Sequence, residues 1–175
     1  VEFHKRFDES NLILKDKIDN GKLGKLQYAV IEFSQKKSIP EKYFKKWSQK
    51  TNVFNYLGVH YVDLIEFITN FKPIEVLALG QKDYLIKKGI KTWDSIEVII
   101  KWKRKDSGYF ISTHITNWID SNKSSAMSNQ KITLVGTKAR YESDQKNRGI
   151  NYVDDDTGVN SLNPYFTSNI FKGKE

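Results

Sequence analysis

The sequence predicts an α+β domain built on a largely antiparallel sheet with helices on one face. Helical spacing of apolar residues is confined to the part of the chain before Pro73, while alternating segments rich in β-branched and aromatic residues dominate from Ile74 onward. The connections between the later segments are of hairpin length, which antiparallel pairing permits and parallel pairing does not. At 175 residues the chain is long enough to bury a real core and too short for a second full-sized domain.

Asp8, Glu9 and Ser10 offer N-cap side chains, Leu14 and Ile18 recur at helical spacing, and Gly21 stands where a helix ends in a left-handed turn, so a short first helix is expected. Over 24–33, Leu26, Tyr28 and Val30 alternate with Gln27, Ala29 and Ile31 as in a strand. Pro40-Glu41 opens a brief Lys-rich helical segment through Trp47, and a polar linker follows over 48–52. Over 54–70, Leu57, Tyr61, Leu64, Ile65 and Ile68 line one helical stripe, which Lys72-Pro73 ends. Residues 74–80 read as a strand, 84–93 as a loop, and Ile96, Val98, Ile100 and Trp102 as one face of a longer strand that turns at Asp106-Ser107-Gly108. Over 109–119, Ile111, Ile115 and Ile119 alternate with Phe110, His114 and Trp118, so both faces of the sheet ask for a cover and the helices supply one. A polar loop over 120–129 precedes a strand over 131–136, and Arg140-Tyr141-Glu142 pairs with 150–153 around the polar run 143–149. Asp155-Asp156-Thr157-Gly158 forms a further turn, and a tail with a few aromatics follows from Asn163.

No apolar run approaches the roughly 20 residues that cross a bilayer, and the lack of Cys removes disulfides, thiolate catalysis and Cys-ligated zinc. A soluble, cytoplasmic protein without a membrane partner is expected. The net charge of +8 raises nucleic acid as a partner. The 29 basic residues are nevertheless interspersed with 21 acidic ones, as in Lys15-Asp16-Lys17, which favours solvated faces over a nucleic-acid surface. Opening on Val1 rather than Met predicts a piece cut from a longer protein.

The glycines of Asn20-Gly21-Lys22-Leu23-Gly24 follow a helix and have the wrong spacing for a dinucleotide fingerprint. His4, His60 and His114 are scattered and no H-E-x-x-H or G-x-S-x-G motif occurs, so neither a metal site nor a serine elbow is expected. The chemically richest group is Tyr56, His60 and Asp63, whose i−4, i, i+3 spacing puts them on one helix face. An imidazole beside a carboxylate and a phenol suits proton transfer at an alcohol; the alternative is a helix packed on the sheet with His60 hydrogen-bonded at its edge. Gly58 in mid-helix suggests close approach by another segment or a ligand. His114, between Phe110 and Trp118, reads as a satisfied structural histidine. Trp102, Tyr109 and Trp118 read as core before they read as a stacking platform. Lys146, Asn147 and Arg148 present polar groups to a hydroxyl or phosphate, or simply form a solvated hairpin.

Lys5-Arg6-Phe7, Gly21-Lys22-Leu23-Gly24-Lys25-Leu26, Gly58-Val59-His60-Tyr61-Val62-Asp63 and Val135-Gly136-Thr137-Lys138-Ala139-Arg140 together, in that order, resemble the C-terminal domain of the glucose-fructose oxidoreductase/inositol dehydrogenase (Gfo/Idh/MocA) family over 1–166. The resemblance implies an open, largely antiparallel mixed sheet with helices on one face, as in the C-terminal domain of dihydrodipicolinate reductase, and a tail over 167–175. It implies that an N-terminal Rossmann domain, absent from this chain, holds NAD or NADP and supplies a catalytic lysine, usually in a Glu-Lys-Pro motif that does not occur here. This chain would bind a sugar, cyclitol or sugar derivative, bind no cofactor by itself, be inactive alone, and form homo-oligomers through its sheet. His60 aligns with the family's general acid/base histidine. Asp63 matches a frequent acidic residue that would orient the helix or His60, and Lys5, Arg6 and the 146–148 run become candidate support or substrate contacts. Where many members carry Asp four residues before the histidine, this chain has Tyr56, and a phenol carries no permanent charge near neutral pH. The rival reading is a basic, non-catalytic module that binds nucleic acid or protein.

Overall fold

A computed structural model describes residues 2–145 and 149–162. Eight strands form one sheet in the order β2-β3-β4-β1-β5-β6-β7-β8. They are β1 (Leu26–Lys36), β2 (Lys72–Gln81), β3 (Ser95–Lys103), β4 (Tyr109–Asp120), β5 (Ser128–Gly136), β6 (Ala139–Asp144), β7 (Gly149–Asp154) and β8 (Gly158–Leu162). Only β1 and β4 run parallel; every other neighbouring pair is antiparallel. The α+β expectation therefore holds, with one crossover making the sheet mixed.

Helices α1 (Glu9–Asp19) and α3 (Val59–Thr69) cover one face. Alternation along β4 shows why: Phe110, Ser112, His114, Thr116 and Trp118 are buried, whereas Tyr109 and Ile111 on the other face are exposed. The core joins Leu14 of α1, Leu57 ahead of α3 and Tyr61, Leu64 and Ile65 within it to Ile31, Trp102, Phe110, Trp118, Leu134 and Tyr141 of the sheet. Tyr141 ties the layers together by donating its hydroxyl to the Ser10 carbonyl at 2.6 Å. Trp102 and Trp118 are thus core, as expected, while Tyr109 stands outside it.

Four local readings need correction. The 84–93 loop contains a short helix, α4 (Tyr84–Lys87). The Lys-rich segment is a π-helical turn (Ile39–Tyr43) followed by α2 (Lys45–Ser48). The expected 54–70 helix begins as a π-helical turn (Phe54–Gly58) before α3 takes over, and Asn70 ends it with a left-handed backbone, φ 55°. The turn at 155–158 leads into β8, which the sequence reading left out. The tail expected over 167–175 lies outside the described residues. Among the described residues no helix is long and apolar enough to cross a membrane.

Candidate active site

His60 sits in the first turn of α3, where the helix leans on the end of β1. Its ring lies 6.3 Å from Phe33, 5.1 Å from His4 and 6.3 Å, edge-on, from Phe3. Burial lowers its pKa below the ordinary histidine range, and the nearby His4 and Lys5 charges lower it further against a smaller opposing pull from Asp63. The imidazole is therefore neutral at pH 7. Its Nδ1 is buried with no hydrogen-bond partner among the described residues.

The segment ahead of α1 forms a wall beside it. In the 3-10 turn His4–Phe7, Lys5 is buried and donates to Asp8 Oδ2 and Gln145 Oε1, both at 2.8 Å, while Gln145 Nε2 donates to the same Asp8 oxygen at 2.6 Å. Arg6 forms a two-pronged pair with Asp63, its Nε donating to Oδ2 at 2.7 Å, and its guanidinium lies 5.2 Å over Phe67. Asp63 was expected to orient the helix or His60. It clamps the N-terminal turn onto α3, so it bears on the helix, and it acts on His60 only through its charge.

Tyr56 does not join His60. Tyr56 lies within the π-helical turn ahead of α3, and its ring packs against Trp47 at 5.0 Å, Trp118 at 5.9 Å and Phe44 at 6.1 Å. An i−4 spacing fixes a shared face only when the backbone between is α-helical. Gly58 is explained inside the same turn: a Cβ there would stand 2.4 Å from the Phe54 ring, so the close approach comes from Phe54 and not from a ligand or a distant segment. Lys146, Asn147 and Arg148 lie outside the described residues, although Gln145 beside them bonds to Lys5.

Sequence reasoning missed Phe33 and Gln130. The β1–β5 register sets Gln130 directly opposite Phe33, on the face that carries His60, and Gln130 Oε1 is buried without a partner among the described residues. Only the sheet pairing brings these residues together; no linear motif could have shown it. His114 is enclosed in the core, but it is only half satisfied, because its buried Nδ1 has no partner among the described residues. It is fully buried, with Nε2 2.8 Å from Ser112 Oγ, and its pKa falls to about 4 through burial. Among the described residues no cluster of His, Asp and Glu could hold a metal ion.

The chain matches the family model of the GFO/IDH/MocA C-terminal domain over residues 12–142. It is 27% identical over 104 residues to inositol 2-dehydrogenase of Rhizobium meliloti (strain 1021), which covers 58% of this chain and 30% of that protein. Its fold is similar to that of an inositol dehydrogenase homolog from Azotobacter vinelandii complexed with NADH and myo-inositol, with TM-score 0.70 and 16% identity over 93% of this chain and 41% of the other. It is also similar to scyllo-inositol dehydrogenase from Lactobacillus casei with bound cofactor NAD(H) and scyllo-inositol, with TM-score 0.65 and 17% identity over 80% of this chain and 40% of the other. The chain spans less than half the length of each of these proteins. The family match covers well over half of the sequence and ends within β6, so the chain belongs to the GFO/IDH/MocA C-terminal domain family.

Proposed function

We propose that this chain is the substrate-binding part of an NAD(P)-dependent oxidoreductase acting on a secondary hydroxyl of a cyclitol, sugar or sugar derivative, with His60 as the group that takes the hydroxyl proton. The observation that carries this reading is the state of His60, neutral at pH 7 and with a buried Nδ1 that no described residue engages, on a ring that is only partly buried, whereas His114, whose Nδ1 is likewise unengaged, is sealed in the core. A neutral imidazole keeps a lone pair on one ring nitrogen, which is what a general base requires. Phe33 and Phe3 offer apolar surface to a ring's C–H groups, and Gln130 Oε1, which has no partner among the described residues, offers an acceptor to a hydroxyl. The inositol-bound relatives support this substrate class.

The glycines at 21 and 24 are not placed to cradle a dinucleotide. Gly21 and Gly24, with φ of 66° and 69°, lie between the C-terminus of α1 and β1. Carbonyl groups gather at that end of a helix, whereas a pyrophosphate needs the N–H groups of an N-terminus. The cofactor is therefore assigned to the remainder of a longer protein, and the step assigned to this chain is the proton's alone. The isolated chain is expected to be inactive.

In the full-length protein, His60→Ala and His60→Gln should each lower kcat by about 100-fold to 10,000-fold with an unchanged melting temperature. The acid limb of the wild-type pH profile should fall below pH 6.5, because the base must be deprotonated and its pKa is lowered. Unchanged turnover in both variants, or loss of the fold in both, would make the histidine structural.

A further inference from the structure

We infer that the segment 42–50 binds a nucleoside diphosphate carried by the substrate, so that the sugar whose hydroxyl meets His60 is nucleotide-linked; the sugar half rests on the function proposed above, the nucleotide half on this segment. Lys42, Lys45, Lys46 and Lys50 fall within nine residues that contain no Asp or Glu, although acidic and basic residues are interspersed over the chain as a whole. Among the described residues none of the four ammonium groups has a salt-bridge partner. Glu41, the adjoining carboxylate, accepts instead from the Tyr84 hydroxyl at 2.8 Å. Four unneutralised cations on one short segment attract a compact polyanion, and a neutral cyclitol would leave all of them unanswered.

Aromatic rings are interleaved with these lysines. Tyr43 is 69% exposed, Phe44 41% and Trp47 43%. Phe44, Trp47 and Tyr56 pack edge-on in a closed trio, with ring centroids 5.8, 5.0 and 6.1 Å apart and planes crossing at 67–74°. Edge-to-face contacts fix the orientation of each ring, which leaves an ordered aromatic surface beside the lysines. A nucleobase stacks on such a surface, and its phosphates then meet the cations.

The trio adjoins the candidate active site. The Tyr56 ring lies 5.9 Å from Trp118 of β4, and the Tyr56 backbone stands about one helical turn, ~5.4 Å, ahead of His60. Tyr56, whose ring does not join His60, thus serves the far end of the substrate. Lysines and aromatics also suit an anionic lipid surface. That occupant fits less well, because a ring that enters a bilayer interface projects from the protein, whereas Phe44 and Trp47 are each more than half covered.

Equilibrium dialysis of UDP against the intact chain should give a Kd below about 1 mM, with inorganic pyrophosphate and uridine each at least about tenfold weaker. Trp47→Leu should weaken UDP binding at least about fivefold. The double variant Lys45→Gln, Lys46→Gln changes only exposed side chains and should weaken it similarly, with an unchanged melting temperature. In NMR spectra of the chain, UDP-glucose should shift the His60 ring signals and UDP should not, because only the sugar reaches that ring. UDP affinity unchanged in both variants, or matched by pyrophosphate, overturns the nucleotide site, and UDP-glucose that binds without moving the His60 signals overturns its link to the substrate. Equally tight binding of NADH, or of phosphatidylserine vesicles, lost in Trp47→Leu would give the patch to the cofactor or to a membrane and overturn the proposal. None of these measurements involves turnover, so their failure is separate from that of the His60 variants.

Discussion

His60 and His114 are both held neutral by burial, but they sit in opposite relations to the outside. Trp102 Nε1 can only donate, and it does so to Ser112 Oγ at 2.8 Å. The serine is left with its own hydrogen to give to His114 Nε2 at 2.8 Å, which places the imidazole hydrogen on Nδ1. That ring is fully enclosed, with Phe54 edge-on to it, so no substrate reaches it. The enclosure has a cost on acidification. The folded chain protonates His114 only near pH 4, whereas the unfolded chain does so near 6.5. Between these values the unfolded state binds more protons, so stability is complete above pH 6.5 and falls as the pH drops toward 4. A shift of this size is worth on the order of 3 kcal/mol. Urea unfolding at a series of pH values should show a steeper loss for wild type than for His114→Gln across that window, and equal slopes would mean that His114 titrates normally in the fold. Of the candidate site, His60 stood out in the sequence through its spacing from Tyr56 and Asp63 and through a motif resembling the family's. The separation of Tyr56 from it was not legible, since a π-helical turn leaves no mark in apolar spacing.

Caps supplied from a distance explain which elements the sequence hid. α4 has only four residues and makes no use of the side chain of Asp83 at its own N-cap. Asp94, ahead of β3 and buried, accepts hydrogen bonds from the backbone N–H groups of Asp83, Tyr84 and Leu85 at 2.7, 2.6 and 2.8 Å. A four-residue helix shows no apolar periodicity, and its Asp83 start signal stands alone because the first turn is held from about ten residues downstream, so 84–93 read as loop. Asp94→Ala would leave these donors without their acceptor and should destabilise the chain by about 3 kcal/mol, with Asp94→Asn costing less; a thermal melt unmoved by Asp94→Ala would show that water replaces the carboxylate freely. Elements whose signals are local were legible: β1, β3, β4 and the β6–β7 hairpin fall where alternation and turn residues put them. β2 was found as a strand, yet its exposure was hidden, because four apolar residues in a strand look the same at an edge as in the centre of a sheet.

At the scale of the molecule, the uncovered face of the sheet is the largest consequence of having helices on one side only. Tyr28 and Val30 on β1, Ile99 on β3 and Ile111 on β4 are all about 40% exposed and lie on adjoining strands, with Tyr28 directly opposite Ile111. Antiparallel sheets tolerate one wet face when that face is polar, but a contiguous apolar patch on several strands marks an interaction surface. We expect this face to meet its equivalent in a second copy of the chain. Sedimentation velocity at tens of micromolar, a range in which weak interfaces are populated, tests this. Wild type should sediment as a dimer. Ile111→Lys places a charge at the centre of the patch and should sediment as a monomer with an unchanged melting temperature, since Ile111 points away from the core. A wild-type chain that sediments as a monomer throughout this range would show that this face does not self-associate, and it would then belong to a different partner.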